Sequence, residues 1–484
     1  MSRRHSLWLL PLALAACNQR LDRGPVVVST IGGRPSYPDL SRAAPDVTQA
    51  YLLDSSAQGL VRFDAAGQIE PGLAERWTVL DDGQTYIFRL REIRWANGEQ
   101  VDAATVVKAL RRLLGPQSKN PLKPYLTAIE SVVEMTPLVV EIRLSRPRPD
   151  LLKLFAQPDL AILSGEPPRG TGPFRIASRA GLGIMMRPTV DDRSDGEDVD
   201  APTPEENVKL IGENAAAAIL RFVQRKSDLA VGGTVADWPI LAVAKAPPES
   251  VKLDPAAGLF GLAVLRREGL LASAAGRAAV AEAFDRRTIT GTFSHFWNPT
   301  EQLLPEQLDS AAPPALMSWT TRPTEARLAD ARRQVELWRA TEPAPAPLAI
   351  AMPEGPGGTI LFAYLQSNLR AIGVDAVRVG PTADADLRLV DAVAPYDSAR
   401  WYLAAACVQC SDDAQAALIA ARDAPDLAER ARHIAEADAA MASDVAFIPL
   451  ARPLRWSLVS SRLKQWQGNP RAWHPLNRLR ADTN

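Results

Sequence analysis

Three sets of residues in this chain are of types that do chemistry. The first is a pair of carboxylates, Asp391 and Asp397, set beside Tyr396 and Trp401 in the stretch DAVAPYDSARWYL. Paired carboxylates can cleave glycosides, one as acid and the other as base or nucleophile. The second set is Cys407-Val408-Gln409-Cys410. This spacing is open to a local disulfide, to two reduced thiols or to a redox pair. No strand–CxxC–helix context surrounds it, which argues against a thioredoxin-like site, and zinc would need further Cys or His ligands. The four histidines, His5, His295, His433 and His474, show no paired spacing, so no metal is expected. The third set is Gly170-Thr171-Gly172-Pro173-Phe174. It has neither a P-loop lysine nor a dinucleotide fingerprint, and reads as a tight backbone crossing; no cofactor is expected. The G-x-S-x-G elbow, H-E-x-x-H and the class A β-lactamase motifs are also missing. An exported hydrolase is therefore a remote alternative, and the chain is read as a non-enzyme.

The N-terminus indicates where such residues would work. Arg3 and Arg4 precede a short apolar stretch, Leu7 to Ala16, which ends in Leu14-Ala15-Ala16-Cys17. This is the pattern of a secretory signal peptide over residues 1–16, too short to span a bilayer as a stable helix. The small residues before Cys17 resemble the lipobox of bacterial lipoproteins, which implies lipid attachment at Cys17 and a polar tether over 17–24. An ordinary signal peptide with a chance Cys is the alternative. A chain of 484 residues exceeds one ordinary core, so two or three domains are expected. The net charge is −1, and −3 once Arg3 and Arg4 leave with the signal, so nothing points to nucleic acid.

The positioning elements follow from pattern. Val26 to Ser29 reads as a buried first strand, and Asp46 to Leu60 as a helical region. Leu60, Arg62 and Asp64 alternate with Val61 and Phe63, the pattern of a half-buried strand. Asp81-Asp82-Gly83 between apolar alternating runs predicts a hairpin, with Tyr86, Phe88 and Leu90 on one face. Asp102 caps a helix whose stripe is Val106, Ala109, Leu110 and Leu113. Val140, Ile142 and Leu144 share one face of a strand. Asp191 to Glu206 is acidic and poor in apolar residues, an exposed loop. Near Ala256 the chain changes domain. Ala275 to Phe284 and Ile360 to Ile372 are helices, and Leu427, Ala431, Ile434 and Met441 stripe another. Pro449 marks Ala446 to Leu450 as an edge or crossing strand.

Several of these segments together resemble one family. Gly59 to Leu114, GLVRFDAAGQIEPGLAERWTVLDDGQTYIFRLREIRWANGEQVDAATVVKALRRLL, is similar to the signature of solute-binding protein family 5, the peptide- and nickel-type ABC transporter binding proteins. Gly170 to Phe174, Arg277 to Ile289 (RAAVAEAFDRRTI), Leu369 to Val374 (LRAIGV) and Asp444 to Leu450 (DVAFIPL) resemble further family elements, in the family's order. The resemblance implies an α/β, two-lobed periplasmic-binding-protein fold, with mixed sheets flanked by helices, a hinge and an extra domain. Residues 25–50, 165–255 and 453–484 would form domain I, 51–164 the extra domain II, and 256–452 domain III. A small solute, most often a short peptide, would be enclosed between domains I and III by hinge closure. The closed form would dock on a membrane permease with its ATPase, as a lipid-anchored monomer on the periplasmic or extracellular face of a bacterial envelope.

In peptide-binding members, an Asp in the stretch matching Asp391 to Leu403 pairs with the α-ammonium of the solute, because a cation taken out of water needs a compensating charge. This chain departs from that pattern. Asp397 aligns with the family's second Asp, the first falls on Ala394, and Asp391 substitutes only if the loop shifts. Asp391, Tyr396, Asp397, Trp401 and Phe260 are the candidate ligand residues. Each has a structural alternative: capping or loop roles for the two Asp, packing for Tyr396, Trp401 and Phe260. A diverged member acting as sensor or envelope lipoprotein is the alternative function.

Overall fold

The computed structural model describes residues 24–148, 150–189, 202–306, 308–342 and 345–480. The expected signal, Cys17 and most of the acidic loop lie outside the described residues, as do residues 343 and 344.

The first strand, Val26–Ile31, is β-branched and apolar, and its core-facing residues are fully buried. It lies at the centre of a seven-stranded sheet, parallel to Val208–Glu213 on one side and to Leu229–Gly233 on the other. Gly183–Pro188 and Phe174–Ala180 extend the first side, Trp456–Val459 and Val251–Leu253 the second. The helix Val47–Ser56 packs against Val26–Ile31, Val208–Glu213 and Phe174–Ala180. Asp46 and Gln49 close its N-terminus as a reciprocal capping box.

The chain leaves this sheet after Leu253 and enters a five-stranded one at Gly258–Val264. That strand pairs antiparallel with Leu387–Val393 and with Phe447–Ala451. Leu348–Ala351 and Ala376–Val379 complete the sheet. Phe447–Ala451 is its edge, the position that tolerates Pro449. The helices Ala274–Ala283, Thr324–Thr341 and Pro356–Ala371 cover the sheet over a core containing Val280, Trp319 and Leu365. Two of the segments singled out in the sequence meet here. Buried Arg277 pairs with Asp444 (Nη2–Oδ1 2.6 Å), and Arg286 donates from Nε to the Pro449 carbonyl at 2.8 Å. Burial pulls the Arg286 guanidinium down to about 10, with Glu301 opposing.

A four-stranded antiparallel sheet stands apart, in the order Ala74–Leu80, Thr85–Leu90, Val139–Leu144, Ile129–Thr136. Asp81 and Asp82 take positive φ (53° and 52°) ahead of Gly83, making the hairpin turn the sequence predicts. Tyr86, Phe88 and Leu90 are buried under the helix Ala103–Leu114, which Asp102 caps through Thr105 N. This apolar cluster continues through Phe155 into Trp401, Tyr402 and Ile434, residues of the helices Ala399–Ala406 and Leu427–Asp444.

Two sequence expectations need correction. Val61–Phe63 is buried on both faces rather than half-buried: Arg62 is enclosed with Asp54 (3.7 Å) and Glu70 (3.3 Å), which neutralise it. Leu427 is exposed, because it opens its helix beside the Asp426 cap; the buried stripe runs through Arg430, Ile434, Ala437 and Met441.

The Gly170–Phe174 crossing runs against the end of the helix Val47–Ser56. A Cβ on Gly172 would stand 2.5 Å from the Ser55 carbonyl oxygen and 2.7 Å from that of Ala57. Gly172→Ala should therefore lower the denaturation midpoint by an overpacking cost of about 1–3 kcal/mol. Gly291→Ala, in a helix with nothing within 4 Å of the new methyl, should stabilise by up to about 1 kcal/mol. Urea denaturation of both variants checks the pair; an unchanged midpoint for Gly172→Ala would show that the crossing can give way.

Candidate functional site

The seam between the two large sheets is where the chain crosses, once after Leu253 and again between Ala451 and Trp456. The crossings hydrogen-bond to each other through Asp254 N and the Arg455 carbonyl (3.1 Å). Ala257 N donates to Pro470 O, and Ala394 N donates to Ala257 O. Asp254 also accepts from Asn469 N at 3.1 Å and meets His474 Nε2 at 3.2 Å. Trp473 stacks on Tyr51 with ring centroids 4.4 Å apart.

The five candidate ligand residues lie on or beside this seam. Asp391 is opposite Phe260 in strand register, and its Oδ1 accepts from Arg455 Nη1 at 2.7 Å. Asp397 accepts from Lys153 Nζ at 2.5 Å and from the Arg471 guanidinium. Burial pushes the Asp397 carboxyl up, but the two cations outweigh it and hold it below the usual carboxylate range. Arg471 also donates to the Ala394 carbonyl at 2.8 Å, fixing the loop that carries Asp397.

The aromatic candidates are packed. Phe260 is 1% exposed and meets Trp297 edge-on at 4.9 Å. Trp401 is buried and edge-on to Tyr402 at 5.0 Å. Tyr396 is buried against Tyr125 at 5.8 Å, and burial raises its hydroxyl above the ordinary range. All three rings are thus in contact with other rings of the chain.

Other residues of the seam were missed in the sequence. Arg452 donates to the carbonyls of Gly258 (3.3 Å) and Leu303 (3.0 Å) and lies 5.8 Å from the Tyr402 ring centroid. Burial lowers its guanidinium, whereas burial pushes the Tyr402 hydroxyl up to about 12. The turn Gly355-Pro356-Gly357-Gly358 opens a helix of the five-stranded lobe directly against Val235 and Ala236 of the other lobe. Gly357 N donates to Ala236 O at 2.9 Å, and a Cβ on Gly357 would fall 1.9 Å from the Val235 carbonyl oxygen. Three glycines in four residues were the signal for this close approach. Asp309 is a third: it accepts from Ser398 Oγ (3.0 Å), Ala399 N (2.6 Å) and Arg430 Nη2 (3.1 Å), anchoring the helix that carries Trp401.

Cys407 and Cys410 are joined as a disulfide just beyond that helix. Its loop is tied down by Arg267, which donates to Gln409 O at 2.7 Å and pairs with Asp444. Among the described residues no group of three or more His, Cys, Asp and Glu could hold a metal ion. No described helix is long and apolar enough to cross a membrane.

The sequence model of the bacterial extracellular solute-binding proteins, family 5 (middle region), matches residues 68–383. The chain belongs to this family. The family is one of solute-binding proteins rather than enzymes. By sequence the chain is 31% identical over 134 residues to the "Probable deoxycholate-binding periplasmic protein YgiS" of Escherichia coli (strain K12), covering 26% of this chain and 25% of that protein. It is 34% identical over 114 residues to the periplasmic oligopeptide-binding protein OppA of Haemophilus influenzae, covering 23% and 20%. The chain thus aligns in sequence with a quarter or less of the length of these curated relatives. In structure the likeness is chain-wide. The Haemophilus influenzae OppA crystal structure, in complex with RPPGFSPFR, superposes with a TM-score of 0.78 at 18% identity over 95% of this chain and 99% of that one. The architecture is therefore the α/β periplasmic-binding-protein fold of family 5.

Asp397 bears on stability in a pH-dependent way. Its folded carboxyl lies below its unfolded value, so its contribution is full above about pH 4 and fades as pH falls through the folded value. At about pH 7, Asp397→Asn should destabilise by roughly 1 kcal/mol, the scale of a partly exposed ion pair, and the gap from the parent should close towards pH 3. Urea midpoints of parent and variant at the two pH values check this; a gap that stays constant would remove the ionic explanation.

Proposed function

We propose that this protein is the extracytoplasmic solute-binding component of an ABC importer. It captures a small solute between its two lobes and delivers the closed form to a membrane permease and its ATPase. The observation that carries this reading is the doubled crossing after Leu253 and before Trp456, a two-strand hinge between two separate sheets, within a fold that superposes along its length on OppA. In this reading residues 25–50, 165–255 and 453–484 act as domain I, 51–164 as the extra domain II, and 256–452 as domain III. Cys17 carries the lipid that holds the protein, as a monomer, at the periplasmic or extracellular face of the envelope. The protein performs no catalysis.

The solute we favour is a short peptide, as the name of OppA says of that protein. It would be held by backbone groups along the seam and by aromatic walls, because Asp391 and Asp397 are each bound to cations of the chain itself. For either Asp to receive an α-ammonium, Arg455 or the Lys153 and Arg471 pair would have to release it. This same pairing favours a second reading, a family member whose role is sensing or envelope structure rather than transport.

Titration calorimetry with pools of di- to pentapeptides, paired with thermal shift, separates the readings. Peptide import predicts saturable heat, and at a hundredfold excess over Kd a stabilisation of about 2.7 kcal/mol. No heat and no shift across the pools would remove the peptide reading and leave the second.

A further inference from the structure

A cavity of about 420 Å³ lies away from the seam, where the seven-stranded lobe meets the four-stranded domain. Its walls come from the segments 58–71, 91–94, 171–175 and 477–478 with Thr189, and none from residues 256–452. Five guanidinium groups line it, those of Arg62, Arg91, Arg94, Arg175 and Arg478, against the two carboxylates of Glu70 and Glu92. Even with Asp54 counted behind Arg62, two cationic charges stay uncompensated among the described residues.

The hydrogen bonds sort these arginines into two groups. Arg62 and Arg478 are committed to Glu70, at 3.3 and 2.7 Å, and Arg62 also to Asn477 Oδ1 at 2.8 Å. Among the described residues Arg175 donates only to carbonyl oxygens, those of Gly170 (3.1 Å) and Arg94 (3.2 Å). Among the same residues the Arg94 side chain reaches only the Gly98 carbonyl, at 2.8 Å. The backbone of Arg91 is paired, its N donating to Leu73 O at 2.9 Å and its carbonyl accepting from Ile93 N at 3.0 Å, but its side chain has no hydrogen bond or ion pair among the described residues. Burial lowers the Arg175 guanidinium, which shows the cost of holding it there without a carboxylate. The buried Thr171 accepts from Gln58 Nε2 at its carbonyl (2.8 Å) and, weakly, at its hydroxyl (3.4 Å), which leaves its own proton to donate.

Guanidinium forks that are oriented but lack a carboxylate match the planar, multi-oxygen geometry of phosphate and carboxylate groups. The volume exceeds that of one such group and leaves room for a small carbon skeleton. We propose that this cavity binds a small multivalent oxyanion, a phosphomonoester or a polycarboxylate, through Arg91, Arg94 and Arg175 with the Thr171 hydroxyl. The site is independent of the solute cleft, because the second lobe contributes nothing to it. An anion there would bridge the signature hairpin, the glycine crossing and the C-terminal segment.

The test is calorimetric titration of the purified protein with inorganic phosphate and, separately, with citrate, in a chloride buffer of low ionic strength. Saturable single-site binding that weakens with added salt is expected for at least one of them. Tighter phosphate assigns the phosphoryl class, tighter citrate the polycarboxylate class. Arg91→Gln should weaken binding by about tenfold or more while leaving the denaturation midpoint unchanged, since the Arg91 side chain holds no partner to lose among the described residues. Arg175→Lys, which keeps the charge and loses the fork, should also weaken it. No saturable heat with either anion overturns the proposal. Equal affinity in parent, Arg91→Gln and Arg175→Lys overturns it as well.

Discussion

One carboxylate holds together parts of the chain that are far apart in sequence. Asp397 is shared between Lys153, 244 residues upstream, and Arg471, 74 residues downstream. The first cation belongs to the short helix beside the four-stranded domain, the second to the C-terminal segment of the seven-stranded lobe, and the Asp to the loop of the five-stranded lobe. Asp391 and Arg455 repeat the device a few residues away, between a strand of the five-stranded sheet and one of the crossing segments. A desolvated charge must be compensated by something, and here the compensation is internal. The carboxylates of the seam therefore have their charge met within the chain. A carboxylate already bridged by two cations is also a poor anchor for a third.

Much of the local structure was legible in the sequence, because its causes are local. Asp81-Asp82-Gly83 announces its hairpin through residues that tolerate positive φ, and Asp102 announces its helix through a side chain that reaches the first turn. Pro449 announces an edge strand because it lacks a donor. The order of the family-like segments then carried the architecture. What was not legible is pairing at a distance. Nothing around Arg62 signals that Asp54 and Glu70 will enclose it, and an alternating pattern with an Arg reads as half-exposed. Nothing around Arg455 or Lys153 marks them as partners of Asp391 and Asp397. The candidate residues could be picked out in the chain, while the partners that decide their electrostatics were invisible.

Arg277 and Asp444 show why the resemblance was informative despite modest sequence similarity. They come from two segments separated by 167 residues, and each segment alone is a weak signal. In the fold they form one buried ion pair, which also receives Arg267 and, through Ser411, steadies the disulfide loop at Cys407 and Cys410. Removing Asp444 would leave buried Arg277 without a carboxylate, which is a large penalty, whereas Asp444 without Arg277 would keep Arg267. Segments coupled this way can be retained only together.

The central position of Val26–Ile31 has a consequence for how the protein comes into being. This strand is made first, yet its neighbours lie near residues 208–213 and 229–233, and the lobe is finished only by Trp456–Val459. Leu463, Leu476 and Leu479 complete the core over it, and Arg462 ties off the Gly24 carbonyl. Pairing across such separations is slow, because the loop entropy is lost before the contacts repay it. The N-terminal lobe therefore cannot reach its final form while the chain is still being synthesised. Until Trp456–Val459 and the leucines beyond it are made, this lobe lacks a strand and part of its core.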